Sequence, residues 1–313
     1  MNQYKKFLGR TDLVKNQVER EKLVEQEATS KKKRSIQEQN RQRFLKYQEQ
    51  LRSELAARYF HSVMSTGGES FSNTKSLNFD GTDAYLEGAT NYTLADGASK
   101  MTISCWVKFG LMSSTAYLAS VRPSGGNRTF EIRTQGSGGS SSTFSLLFYV
   151  NNASNQNRFN KSIAGIRNDG LWHHLMICVD LSESTGDEVQ FFIDKVAQNP
   201  AGRIQNTTFP SNPSPLLIGH GLGNDYFKGA VDEFAIWVGE DLRTQSKVDE
   251  IYGTGEATDL ANLSTVSAPT TWFRMGDKAT IVGDDITIPD QIGTYNLTSE
   301  AMVAADVQED TPG

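Results

Sequence analysis

The sequence predicts a mainly β protein, an antiparallel sandwich or barrel preceded by a long α-helical arm. Three observations carry that expectation. Residues 1–64 contain no proline and one glycine, Gly9, and are dominated by Glu, Gln, Lys, Arg and Leu, all good helix formers. From about residue 74 to 300 the texture changes to short runs rich in β-branched and aromatic residues, separated by Gly, Asn, Asp and Ser turns without interleaved helices. Charge divides at the same place: residues 1–60 hold 15 Lys/Arg against 8 Asp/Glu, and the remainder holds 16 against 29. A basic arm is joined to an acidic body.

Within the arm, Thr11 or Asp12 is placed to cap a helix running to about Ala28. The polar ATSKKKRS stretch interrupts the pattern, and a second helix is expected from about Ser35 to Val63. There Phe44, Tyr47, Leu51, Leu55 and Tyr59 recur every three or four residues, a one-sided apolar stripe rather than a strict heptad seam. A charged helix with one modest stripe gains most of its stability from a partner. Docking onto other proteins or self-association in a large assembly is therefore the first expectation. Nucleic-acid contact through Lys31, Lys32, Lys33, Arg34, Arg41 and Arg43 is the second, and a solvated spacer the third.

Ser65–Asn73 (STGGESFSN) reads as a Gly/Ser hinge. The body after it is predicted to place strands at Ser76–Phe79, Ala84–Glu87, Met101–Phe109, Ala116–Val121, Thr129–Thr134 and Thr143–Val150. Further strands are expected at Trp172–Leu181, Val189–Ile193, Leu216–Ile218, Ala230–Val238 and Thr271–Met275. Arg243–Tyr252 is the one helical candidate there, and residues 301–313 read as an acidic tail. The central strand is KGAVDEFAIW, Lys228–Trp237. Strict alternation puts Asp232 in a row with Ala230, Phe234 and Ile236, and Glu233 on the opposite face. A bare carboxylate in an apolar row needs an ion pair, hydrogen bonds or a metal. Cys105 and Cys178 each lie in a strand-like run and are expected as buried free thiols. The N-terminus MNQYKKFLGRTDLV has no apolar segment of the signal-peptide kind, and no later run is long enough to span a membrane; no membrane role is expected.

Three segments, in order, resemble the concanavalin A-like lectin/glucanase superfamily, specifically its laminin-G-like jelly-roll domains. They are SLNFDGTDAYLEG with MTISCWVKF, then GLWHHLMICVDLSESTGDEVQFFIDKV, then PLLIGHGLGNDYFKGAVDEFAIWVGEDL. The resemblance implies two curved antiparallel sheets packed face to face, with binding loops at one rim or on the concave face. Asp194-Lys195 stands where the family has Asp-Gly, so that hairpin is expected to differ locally. The closing run TTWFRMGDKATIVGDDITIPDQIGTYNLTS is similar to tails of jelly-roll proteins in bacteriophage particles. By analogy with those proteins, this is a virion component made in the host cytoplasm.

The E-x-D-x-x-E strand of the superfamily's glucanases has no counterpart. His173 and His174, adjacent on a strand, point apart and make a poor zinc pair. No nucleophile motif, phosphate-binding glycine loop or C-x-x-C is present. The resemblance brings the segments of Asp80, Asp83 and Asp232 near one another, which makes them the candidate calcium ligands; a turn at Asp80-Gly81 with Asp83 capping it is the alternative. Sugar-binding candidates are Tyr117, Asn127, Tyr149, Asn151, Asn152, Asn155, Asn157, Asn224 and Tyr226. The expected function is a non-enzymatic phage structural protein. Its arm, residues 1–64, anchors it to other virion proteins or to copies of itself, and its lectin-like domain attaches to host-surface glycans or decorates the head or tail. The alternative is a free carbohydrate-binding module or an inactive glucanase relative.

Overall fold

The computed structural model describes residues 71–313 apart from 112–114, 123–127, 137–142, 151–158, 185, 205–206, 212–213 and 222. Of residues 1–70 it describes Lys22 and Lys46, each helical and exposed. The arm's two helices, and Asn127, Asn151, Asn152, Asn155 and Asn157, lie outside the described residues.

The strands are β1 (Ser76–Asp80), β2 (Tyr85–Gly88), β3 (Lys100–Phe109), β4 (Ala116–Val121), β5 (Phe130–Gly136), β6 (Thr143–Val150), β7 (Phe159–Arg167), β8 (His173–Asp180) and β9 (Val189–Ile193). They continue with β10 (Val196–Ala197), β11 (Ala201–Arg203), β12 (Leu216–Ile218) and β13 (Lys228–Val238), then helix α1 (Gln245–Tyr252). The chain closes with β14 (Thr271–Phe273), β15 (Thr280–Val282), β16 (Asp285–Ile288), β17 (Leu297–Glu300) and β18 (Val307–Gln308). One sheet runs β10-β9-β8-β3-β13-β1-β18, with β14 also beside β13; the other runs β11-β7-β6-β5-β4-β12-β2-β17-β16-β15. The body is a mainly β antiparallel sandwich.

Alternation along the strands builds its core. Leu77, Phe79, Ile103, Cys105, Val107, Val231, Phe234 and Ile236 of the first sheet meet Phe130, Ile132, Leu146, Phe148, Leu216 and Ile218 of the second. Each large apolar side chain so buried contributes about 1.5–3 kcal/mol. A second apolar cluster lies on the outer side of the first sheet, where Val248 and Ile251 of α1 cover Met176, Cys178, Ala235, Trp237 and Trp272. Cys105 and Cys178 therefore belong to opposite faces of that sheet, and both are free thiols. Helix α1 ends at Gly253, whose φ of +63° suits glycine and whose N–H donates to the Asp249 carbonyl.

The structure corrects three expectations. The Asp232/Glu233 alternation fails, because the register of β13 against β3 shifts between Asp232 and Ala235 and Glu233 has a φ of +50°. This is a β-bulge. Val231 and Phe234 point into the sandwich while Asp232 and Glu233 between them both point out. The sandwich also does not end at residue 300: β18 pairs with β1 through Leu77↔Val307 and Ser76↔Gln308, so the acidic tail is joined to the first sheet through those two residues. Residues 71–73, read as hinge, pack on the body, with Phe71 stacked on Trp272 at 6.2 Å. At the hairpin where the family has Asp-Gly, Asp194 and Lys195 close a two-residue turn with φ of +49° and +60°. The Asp194 carboxylate steadies that turn by accepting the His174 N–H at 2.9 Å and pairing with His173 Nδ1 at 2.7 Å.

Candidate functional site

The outer face of the ten-stranded sheet gathers polar and aromatic side chains that alternate with the core residues. On β5, Phe130 and Ile132 point inward and Glu131 and Arg133 outward. Register then sets their neighbours. Glu131 lies beside Tyr149 of β6 and Ser120 of β4, and Ser120 lies beside Leu217 of β12. In the next row Arg133 lies between Leu147 and Tyr117.

Glu131 is fully buried, and its Oε1 accepts from Arg122 Nη1 at 2.6 Å. Arg128 Nε approaches the same oxygen at 3.1 Å, near enough to ion-pair but misdirected for a hydrogen bond. Arg133 lies over the Tyr149 ring, 4.0 Å from its centroid, and donates to the Tyr149 hydroxyl; Arg128 lies 5.4 Å from the same centroid. Arg122 reaches the Tyr117 hydroxyl at 3.5 Å. Desolvation pulls the Arg128 pKa below its ordinary value; Glu131 opposes the shift, and the charges of Arg122 and Arg133 reinforce it.

Beside this cluster, Tyr85, His220 and Tyr226 form a partly exposed aromatic group. His220 stacks on Tyr226 at 4.5 Å with an interplanar angle of 11°, and lies 4.8 Å from Tyr85. The loop carrying His220 and Tyr226 is fastened to β4, since Ser120 Oγ donates to the His220 carbonyl and the Tyr117 N–H to the Asp225 carbonyl. Gly221 permits that approach: a Cβ there would come within 2.3 Å of the Tyr117 ring. Aromatic faces, hydroxyls, three cations and a carboxylate on one surface suit recognition of a polar ligand. Of the sugar candidates read from sequence, Tyr117, Tyr149 and Tyr226 come together here, and Asn224 sits exposed in the same loop as Tyr226. Arg122, Arg128, Glu131, Arg133, Tyr85 and His220 were missed, although the FEIR alternation of β5 already assigns Glu131 and Arg133 to one face.

The calcium candidates are not brought together as a set. Asp80 Oδ1 accepts the Thr82 N–H at 2.8 Å and the Asp83 and Ala84 N–H groups at 3.4 Å. Partial desolvation pushes its pKa up, but these backbone bonds outweigh it and hold the carboxyl below its usual range. Asp80 is opposite Lys228 in β13, and Asp232 lies four residues further along that strand, about 13 Å away. Among the described residues no group of three or more His, Cys, Asp or Glu is placed to hold a metal ion.

Asp232 instead belongs to a buried network on the outer side of the first sheet. Its Oδ2 accepts from Asn73 Nδ2 at 2.9 Å. Glu233 accepts from Trp272 Nε1 at 2.6 Å and from Arg274 Nε at 3.1 Å. Burial and the neighbouring Glu233 charge drive the Asp232 pKa far up. Burial also raises Glu233 to about 7 against the pull of Arg274. The two histidines serve packing and turns: His174 Nε2 meets Ser104 Oγ at 2.8 Å beneath Trp106 and Tyr252, and His173 bridges Asp194 and Asp169.

Two antiparallel sheets packed face to face, with a polar and aromatic outer face, define the lectin-like class of jelly-roll sandwiches. Residues 80–248 match the Concanavalin A-like lectin/glucanases superfamily in its laminin-G form, and the chain belongs to that family. A Bacteroides ovatus protein provisionally named as carbohydrate-binding has a similar fold, with a TM-score of 0.54 at 15% identity; the match covers 77% of this chain and 62% of that one. The SAP-like pentraxin of Limulus polyphemus aligns with a TM-score of 0.47 at 14% identity, over 74% of this chain and 98% of that one. No curated protein sequence matches this chain.

Proposed function

We propose that the chain is a non-enzymatic carbohydrate-binding protein, carried on a bacteriophage particle by its N-terminal arm and directed at host-surface glycans. The observation that carries the binding reading is the partly exposed Tyr85–His220–Tyr226 group beside Tyr117, Glu131 and the arginines. Sugar C–H faces pack on aromatic rings while their hydroxyls need donors and acceptors alongside. The fold shared with the Bacteroides ovatus protein supports the same reading. Against catalysis, the adjacent carboxylates Asp232 and Glu233 are buried, 0% and 3% exposed, and committed to Asn73, Trp272 and Arg274.

The test is a glycan array with the full-length chain, run with calcium and with a chelator. Tyr226→Ala is expected to weaken any specific binding about tenfold, the loss of roughly one aromatic contact. Binding lost on chelation would return calcium to the site through the exposed Asp80–Asp83 turn. An array that is blank in both conditions overturns the glycan reading.

The virion part of the proposal is supported by the arm's apolar stripe and by the phage-like closing run. Deleting residues 1–64 is expected to abolish incorporation into particles while leaving glycan binding intact. A truncated chain that incorporates normally removes the anchoring role, and a full-length chain found only as a soluble monomer outside particles favours the free binding module.

A further inference from the structure

Resting on the glycan-binding reading of the same face, the geometry points to an acidic sugar as the ligand, its carboxylate or sulfate held by Arg122, Arg128 and Arg133. Two guanidinium groups, Arg122 and Arg128, meet one carboxylate, Glu131, with Arg133 close by over Tyr149, on a face that is largely out of water: Arg128 is 6% exposed, the Arg122 side chain 8%, and Glu131 0%. A desolvated surplus of positive charge is costly unless an anion offsets it. Glu131 takes up at most one of the three charges, leaving a local balance of about +2 against a chain whose formal net charge is −6.

The hydrogen-bonding capacity is also incompletely used. The buried Nε atoms of Arg122, Arg128 and Arg133 have no hydrogen-bond partner, and neither does Glu131 Oε2. Native structures leave few buried polar groups unpaired, and each such group marks a place for an explanation. Guanidinium donors match the planar geometry of a carboxylate or sulfate, while the open Glu131 oxygen can accept from a sugar hydroxyl. The Tyr149 ring, flanked by Arg133 at 4.0 Å and Arg128 at 5.4 Å, fixes the side chains before a ligand arrives. A neutral sugar would leave the positive charge unmatched; an acidic one completes it.

The test measures the full-length chain against matched polymers: polygalacturonate and its methyl ester, and dextran sulfate and dextran. The charged member of at least one pair is expected to bind at least about tenfold more tightly. Arg133→Gln is expected to erase that preference. The Glu131 ion pairs run to Arg122 and Arg128 and not to Arg133, so this variant keeps them, and an unchanged melting temperature verifies that it folds. Arg133→Lys, which keeps the charge but loses the planar fork, is expected to restore part of the preference. Equal binding of charged and neutral members overturns the acidic assignment and leaves glycan binding standing. A charged-polymer preference that survives Arg133→Gln unchanged also overturns the assignment to this cluster. Failure to bind either charged polymer overturns it as well, and a blank glycan array is the separate result that removes the underlying reading.

Discussion

Replacing Arg274 with alanine is expected to lower the unfolding free energy by about 3–5 kcal/mol at pH 8, the range for breaking a buried ion pair on one side. Arg274 and Glu233 have side chains 7% and 3% exposed and meet at 3.1 Å. Arg274 also lies over the Phe71 ring at 4.3 Å, donates to the Ser72 carbonyl and pairs with Asp277 at 3.3 Å. The substitution therefore strands a buried carboxylate and frees the segment that enters the sandwich at residue 71. The loss should shrink at pH 5, where Glu233 takes up a proton and no longer needs the cation. Urea unfolding at the two pH values separates the parts: a loss equal at both is packing alone, and a loss below about 1 kcal/mol at pH 8 removes the ion pair from the stability argument. The double variant Arg274→Met with Glu233→Gln, which removes both charges while keeping volume, is expected to recover most of the loss.

That network also marks the boundary between what the sequence discloses and what it does not. Strands with clean alternation or apolar runs were legible, to the residue at Ala116–Val121, Thr143–Val150, Val189–Ile193 and Leu216–Ile218. β7, FNKSIAGIR, was not, because its polar residues and Gly165 carry little period-two signal, even though its partner β6 directly precedes it. β15 to β18 were not legible either, since each is two to four residues long and too short to show a period. The bulge at Asp232–Glu233 was illegible for a sharper reason. A one-residue insertion reverses every later face assignment, and nothing in VDEFAIW marks it except two adjacent carboxylates that strict alternation would divide. For the site, aromatic residues could be named individually, but which of them share a face depends on cross-strand register. Tyr117, Arg133 and Leu147 fall in one row only once β4, β5 and β6 are aligned. The calcium set failed likewise: Asp80 and Asp232 occupy neighbouring strands, yet four residues apart along them.

Glu233→Gln is expected to change the shape of the pH–stability profile more than its height. In the folded state Glu233 titrates near 7, raised by burial from an ordinary value of 4.5. The folded protein thus binds more protons than the unfolded chain between those values. Its contribution is fully present below pH 4.5 and is lost as pH rises through about 7, a swing of roughly 3 kcal/mol. Asp232, driven well above its ordinary value of 3.8 by burial and by Glu233, acts with the same sign, its contribution declining from about that ordinary value upward. His173 adds to it modestly, since its bond to Asp194 raises its pKa above 6.5. His174 acts oppositely: burial lowers it to about 4 from 6.5, so its contribution is present above 6.5 and lost as pH falls. Glu233 and His174 consequently offset one another between pH 4.5 and 6.5, so the wild-type slope there is the decline set by Asp232, and it steepens towards pH 8 once the His174 limb ends. Removing the Glu233 charge leaves the His174 limb set against that of Asp232 alone, so the stability of Glu233→Gln should fall less with pH across that interval than that of the wild type. Its difference from wild type should move by roughly 3 kcal/mol in favour of the variant between pH 4.5 and 8. Profiles that stay parallel would mean that Glu233 remains ionised throughout, with Arg274 rather than burial governing its charge.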